Sequence, residues 1–434
     1  IDKFDIIELG RKIKRIRISR GYTQEKLSEL ADISLNTCRA IAIMSTDSSE
    51  AKERPNLEGI DLNTLRLLLA VGDNARKGCN VVVEVESHET VKTLDSIKNT
   101  IDSVKKLKLS IISFNRKLGQ IMADAIAEPG LFQVLTDLFS FDGDEFYACE
   151  DMPIEDYLEN YTNSIPAARM NKLYVLCENV SDLKKKRKTK YVTERRLKLA
   201  SIFDTKRGEQ KTLFIVGNNN RTPYMVENLK GTEQAASMDI LSFGKDENIK
   251  LVEAINKTEG QKEIIILSDD TISHEYFDSN VFATLIALNK EGIQEKANVI
   301  AEILDTRNID CMKDFKVSNT IISNRLISLL INQLLTNEDS NEFYEAILSI
   351  DKDGARDIDI VINRASSMLD MNQDLTFSTR SELINSFYYS TSKKYMLLGI
   401  RRDGKNTYFN TDMDKKEQIT IKEDDQLIMI AYSD

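Results

Sequence analysis

The sequence predicts an α/β protein made of two tandem copies of one unit, each a parallel sheet covered by helices. Three observations predict it. Short, continuous apolar runs alternate with helical stretches, the pattern of strands buried on both faces and joined by helical crossovers. The run AIAIMSTD (40–47) returns as EIIILSDD (263–270). The elements after each run then follow in the same order. Apolar helices come first, LNTLRLLLAV (62–71) and NVFATLIALN (280–289), followed by the buried strands NVVVEVES (80–87) and NVIAEILD (298–305). Helical segments close each series, opening on ISFNR (112–116) and ISNR (322–325). Four elements repeated in order mark a tandem duplication.

In the first copy, the pattern reads as helix 2–14, strand Arg15–Ser19, a turn at Gly21, helix 23–31 and strand Arg39–Ser45. Residues 11–38 also match a helix-turn-helix, with Arg20 to Gln24 opening the second helix and Ala31 to Ser34 forming the turn. That alternative makes the chain a DNA-binding transcriptional regulator whose α/β units are its sensor. Against it, the next residues, CRAIAIMSTD, form an apolar β-rich run where such a domain needs further amphipathic helices. The second copy starts with strand KTLFIVGNNN (211–220), helix 222–230 and strand MDILSFG (238–244). The counterpart of 211–230 is missing from the first copy, so one strand and one helix are expected upstream of Ile1. The segments 393–411 and 419–432 read as a small β-rich tail with Gly-containing turns. SIPAARMNKLYVLCEN (164–179) is its shorter equivalent.

Composition narrows the function classes. The 434 residues, 49.4 kDa, suit two to four domains with their own cores. A net charge of −11 argues against a surface that tracks nucleic acid, which needs a basic footprint. No apolar run reaches the ~20 residues of a spanning helix. Five cysteines without a CxxC pair read as thiols in a reducing compartment, and two histidines, His88 and His274, leave little for a His-based site. Surface positions are expected for both histidines. There is no nucleophile elbow, no P-loop and no acid/base carboxylate pair, so an enzyme is not expected. The chain opens on Ile1 within what reads as a structured element, and we expect it to be part of a longer protein.

The quoted runs, with AEPGLFQVLTDLFSFDGDEFY (127–147), NVIAEILDTRN (298–308) and VSNTIISNRLISLLINQLL (317–335), resemble the RCK (regulator of potassium conductance) gating-ring lobes of ligand-gated cation channels. Within that group the resemblance is to the Castor/Pollux channels in particular. It covers essentially the whole chain, although the 180–210 region diverges. The resemblance implies two Rossmann-like RCK lobes, each with a helical crossover and a small β-rich C-terminal subdomain. The expected boundaries are a first lobe at 1–110, crossover 111–145, subdomain 146–183 and basic linker 184–210. A second lobe at 211–310, crossover 311–354 and subdomain 355–434 complete the chain. It further implies a homo-tetramer with eight lobes in a ring, on the cytosolic face of a membrane. That membrane would be the plasma membrane in a bacterium and the nuclear envelope in a plant-like relative. A pore domain would lie upstream in the same protein, and no nucleic-acid partner is expected.

Two ligand classes can be tested on the residues. A dinucleotide needs Gly-x-Gly-x-x-Gly after the first strand. Here Gly217 is followed by Asn218, Asn219, Asn220, Arg221 and Thr222, and the second strand ends Ser242-Phe243-Gly244 without a carboxylate for the ribose. NAD is therefore not expected at the second unit. Acidic residues at strand ends suit a cation better. Asp47, Glu84 and Glu86 lie at or near the carboxyl ends of neighbouring strands in the first unit, and Asp269, Asp270, Glu302 and Asp305 in the second. Converging carboxylates would suit Ca²⁺, a hard cation that takes six to eight oxygens. The resemblance adds weight to Glu84 and Glu86, since carboxylates on this strand contribute to calcium sensing in some family members. The other reading, favoured for the second unit, is polar strand ends hydrogen-bonded to helix N-termini or solvated. The segment 184–198, with nine Lys/Arg and one Glu, reads as a solvated linker, with contact to anionic lipid or another acidic partner as the sharper alternative. In the stripe Ile321, Ile322, Leu326, Leu329, Leu330 and Leu334, part is expected in the core and part at a lobe–lobe interface.

Overall fold

The computed structural model describes residues 39–44, 58–85, 106–127, 130–140, 143–200, 211–231, 238–270, 276–336, 338–348 and 358–432, with 90, 93, 94, 98 and 272. The helix-turn-helix reading of 11–38, Asp47, Glu86, His88 and His274 lie outside the described residues. The chain forms two compact units. One lies within 1–114 together with 330–338, and the other takes 115–329 and 339–434.

The first unit holds a parallel sheet in the order β1 (Ala40–Ile43), β2 (Asn80–Glu84) and β3 (Lys108–Ile112). The crossover between β1 and β2 contains helix α1 (Glu58–Asn74). Val81, Val82 and Val83 are all buried, as a strand covered on both faces requires. Ile43, Leu68, Val71 and Leu109 pack against this run. The Asn80 amide donates to the Leu334 carbonyl, which ties residues 330–338 to β2 within this unit.

The second unit begins with helices α2 (Phe114–Ala127, from residue 115) and α3 (Leu131–Phe139). An antiparallel sheet follows, in the order β4-β6-β5, from β4 (Glu145–Cys149), β5 (Ile165–Arg169) and β6 (Leu173–Cys177). Helix α4 (Ile154–Asn160) connects β4 to β5. Next come β7 (Lys211–Val216), α5 (Thr222–Gly231), β8 (Met238–Phe243), α6 (Asn248–Lys257), β9 (Gln261–Ile266), α7 (Ser279–Lys290), β10 (Asn298–Ile303) and β11 (Asn319–Ile322). These strands form a parallel sheet in the order β8-β7-β9-β10-β11. The order reverses between β7 and β9, and in open α/β sheets that switch point opens a crevice beyond the strand C-termini. Phe214, Val216, Ile264, Ile266, Leu285, Leu288 and Ala301 share one core beside this sheet.

The repeat is reproduced in hydrogen-bonding register. Ala40 faces Asn80 and Ile41 faces Val81 in the first sheet, and Glu263 faces Asn298 and Ile264 faces Val299 in the second. The helices that follow, α2 and α8 (Ser323–Thr336), are each 14 residues long. In the stripe that runs from β11 into α8, Ile321, Leu326, Leu330 and Leu334 are buried, whereas Ile322 and Leu329 are half-buried. Helix α9 (Asn341–Leu348) precedes the C-terminal subdomain. That subdomain is built from β12 (Ile358–Arg364), β13 (Leu375–Phe377), helix α10 (Arg380–Ser390), β14 (Tyr395–Arg402), β15 (Lys405–Tyr408), β16 (Ile419–Ile421) and β17 (Gln426–Tyr432). β12-β17-β14-β15 form an antiparallel sheet, and β13 pairs with β16. The β14–β15 hairpin turns on Asp403 and Gly404, both at positive φ, as a two-residue turn of this hand needs.

The basic segment departs from a solvated linker. Residues 184–200 lie as a strap along the second unit. The Arg187 side chain is 3% exposed, ion-paired with Asp414 and donating to Ser381 Oγ. Arg195 pairs with Glu382 at 2.8 Å and covers the Phe377 ring. Backbone bonds from Arg187 to Asn160 and from Ala200 to Met368 fix both ends. Composition marks the segment as charged, but only the fold supplies the carboxylates that turn Arg187 and Arg195 inward.

A self-filled crevice at the switch point

The crevice of the second sheet is assembled from the loops after β7, β9 and β10. Gly217 takes φ of 87°, a left-handed conformation that glycine adopts readily, and the chain turns there toward α5. Asn219 then folds back as an Asx turn. Its Oδ1 accepts from the Arg221 amide and from Thr222 Oγ1, and its Nδ2 donates to Ser268 O and Glu302 Oε2. This places the Arg221 side chain inside the crevice, 7% exposed. Its Nε lies 2.9 Å from Glu302 Oε1 and its Nη2 lies 3.3 Å from Asp270 Oδ2. The approach is ionic in character, because neither Nε nor Nη2 meets an acceptor at hydrogen-bonding angle. Nη1 donates to Asn115 Oδ1 on α2.

Glu302, fully buried on β10, also accepts from Ser323 Oγ at 2.6 Å and from the Ser268 amide. Asp269 pairs with Lys245 at 2.8 Å, and this carboxylate holds the Lys245 ammonium above its usual pKa. Asp305 caps the next turn, accepting from the Arg307 amide, and pairs with the Arg307 guanidinium.

The second-unit carboxylates proposed for a cation are therefore already paired. Asp269, Asp270, Glu302 and Asp305 are held by Lys245, Arg221 and Arg307 and by neutral donors, and among the described residues no group of three or more His, Cys, Asp or Glu could hold a metal ion. The physical reason is Arg221, whose guanidinium already supplies the positive charge between Asp270 and Glu302. In the first unit, Glu84 is half-buried at the end of β2, while its proposed companions Asp47 and Glu86 lie outside the described residues.

Sequence reasoning missed a second buried carboxylate. Asp278, just before α7, accepts from Ser268 Oγ, the Leu304 and Asp305 amides and Asn308 Nδ2, all within 3.1 Å. An Asp-Ser pair ahead of an apolar helix was the available signal. Arg221 had none, since nothing local in Asn-Asn-Asn-Arg-Thr says that the arginine turns inward. The loop's own amides donate inward, Asn219 to Thr222 Oγ1, Asn220 to Asp270 Oδ2 and Arg221 to Asn219 Oδ1.

The fold thus defines an α/β protein with duplicated, open parallel sheets of Rossmann type. No protein-family model matches the chain, and no curated protein matches it. Among solved structures it is similar to the GsuK RCK domain, with 11% identity over 100% of this chain and 86% of that one and a TM-score of 0.41. It is also similar to the GsuK channel bound to NAD, with 12% identity over 98% and 75% and a TM-score of 0.40. No helix among the described residues is long and apolar enough to cross a membrane.

Proposed function

We propose that the chain is the ligand-sensing region of an RCK-type cation channel of the Castor/Pollux kind. In this reading four subunits form an eight-lobed ring on the cytosolic side, and ring shape biases a linked pore. The observation that carries the reading is the shared register of β1-β2 and β9-β10. It gives the chain two copies of one sensing sheet, and the sequence runs that resemble RCK lobes fall on those strands. The two copies then divide their roles. The second crevice is closed by Arg221 and Glu302, so ligand recognition falls to the first unit, with Glu84 at the end of β2 and Asp47 and Glu86 as companions for Ca²⁺. A nucleotide is the variant ligand at the same sheet. The role is regulatory and not catalytic. A ligand that prefers one ring shape five- to 150-fold supplies about 1–3 kcal/mol of coupling.

The test is calorimetry of the chain with Ca²⁺ and, separately, with NAD⁺. Ca²⁺ heats that weaken in Glu84→Gln and Glu86→Gln, with a tetrameric mass in light scattering, support the reading. A monomer that binds neither ligand overturns it. A response to NAD⁺ alone moves the sensor to the nucleotide variant.

A further inference from the structure

The strap at 184–200 orders its charges into two sets. Arg187 and Arg195 face inward on Asp414 and Glu382, Lys190 reaches Glu159, and Lys186 lies over the Tyr161 ring. Lys184, Lys185, Lys188 and Lys198 are exposed and make no ion pair among the described residues. Aliphatic side chains in and just before the strap are exposed as well. Val180 is 58% exposed, Val192 71% and Leu199 37%, which makes three of the nine large exposed hydrophobics among the described residues. Elsewhere a chain of net charge −11 is more acidic than its total suggests, so the strap is a local positive ridge.

Lysines that are merely solvated do not call for exposed valines beside them. Single-stranded nucleic acid would be better met by stacking aromatics, and the strap's one aromatic, Tyr191, lies under Arg187. Lysine heads combined with short aliphatic side chains match a bilayer interface, where the ammonium groups meet anionic headgroups and the apolar groups enter the boundary region. We propose that the strap is a peripheral docking surface for anionic lipid, with Lys184, Lys185 and Lys188 supplying charge and Val192 the apolar insertion. The backbone bonds to Asn160 and Met368 hold the ridge in place before it meets the membrane, which lowers the ordering cost of binding.

The experiment is co-sedimentation of the whole chain with phosphatidylcholine vesicles, with and without phosphatidylserine, across a salt series. Binding is expected only to the phosphatidylserine vesicles, falling as salt rises. Each lysine removed should lower partitioning about fivefold, so K184Q/K185Q/K188Q should lose about a hundredfold. Val192→Ser should weaken binding at unchanged net charge, and circular dichroism should match the parent for both variants. The proposal is overturned if the chain stays in the supernatant, if both variants bind like the parent, or if the ridge retains duplex DNA while vesicles remain unbound. It stands apart from the channel reading, because it uses neither Ca²⁺ nor Glu84.

Discussion

Arg221 Nε sits 2.9 Å from Glu302 Oε1, across 81 residues of sequence, with the two side chains 7% and 0% exposed. The pair is asymmetric. Glu302 retains Asn219, Ser268 and Ser323 as donors, whereas Arg221 depends on Glu302 and Asp270 for its countercharge. Removing one partner of a buried ion pair costs about 3–5 kcal/mol because the other charge is left without compensation. Glu302→Ala should therefore lose stability in that range in urea denaturation. Arg221→Met should lose less, because the remaining carboxylate is still hydrogen-bonded. The reverse order of damage would refute this account of the crevice.

Asp278 predicts a local effect. In Asp278→Ala, the Leu304 and Asp305 amides and the Ser268 hydroxyl lose their acceptor. Each buried group left unsatisfied costs about 1–3 kcal/mol. Amide exchange at 304 and 305 should accelerate well before exchange in β7 or β9 changes. Uniform acceleration across the sheet would instead mean that Asp278 acts on global stability.

Gly119 on α2 is placed by a close helix contact. A Cβ there would meet Tyr224 Cβ at 2.7 Å and the Arg221 carbonyl at 2.9 Å. Alanine improves helix propensity by about 1 kcal/mol, but overpacking typically costs about 1–3 kcal/mol. Because part of the contact is backbone, Gly119→Ala should lower the melting temperature. A rise would show that α2 can shift away from α5.

Glu263 gives a pH prediction. Burial pushes its carboxyl above the usual range, with the Asn298 amide opposing the shift, and its Oε2 meets no donor. A raised acid pKa means that the folded chain holds this proton more tightly than the unfolded chain. Its contribution to stability is present at low pH and is lost as pH rises from about 4.5 through the raised folded value. Glu263→Gln should therefore melt higher than the parent at neutral pH, with the difference closing near pH 4. A difference that does not change with pH would remove ionisation as the cause.

Much of the fold was legible in the sequence. The strands at 211–216 and 238–243, helix α5 and the C-terminal hairpin all follow from local apolar runs, turn residues and the repeat, whereas β3 at 108–112 is not read from them. These signals are short-range, and a strand buried on both faces declares itself by composition. The site was less legible. Acidic residues at the ends of β9 and β10 are visible in the sequence, but what neutralises them is not. Asp270 and Glu302 face a guanidinium from a loop whose own residues do not reveal its direction. The inward turn of two strap arginines was hidden for a similar reason. Nine basic residues within 184–198 look solvated until Asp414 and Glu382 are brought beside two of them.

The sequence by itself determined the class, the duplication and the pairing of like elements, because a repeated hydrophobic pattern dictates a repeated sheet whatever lies around it. The tertiary structure alone decided that residues 330–338 belong with the first unit, that Arg187 turns inward, and that Arg221 fills the second crevice. Burial makes a charge choose a partner, and that choice depends on which loops the packed strands bring within about 3 Å of each other.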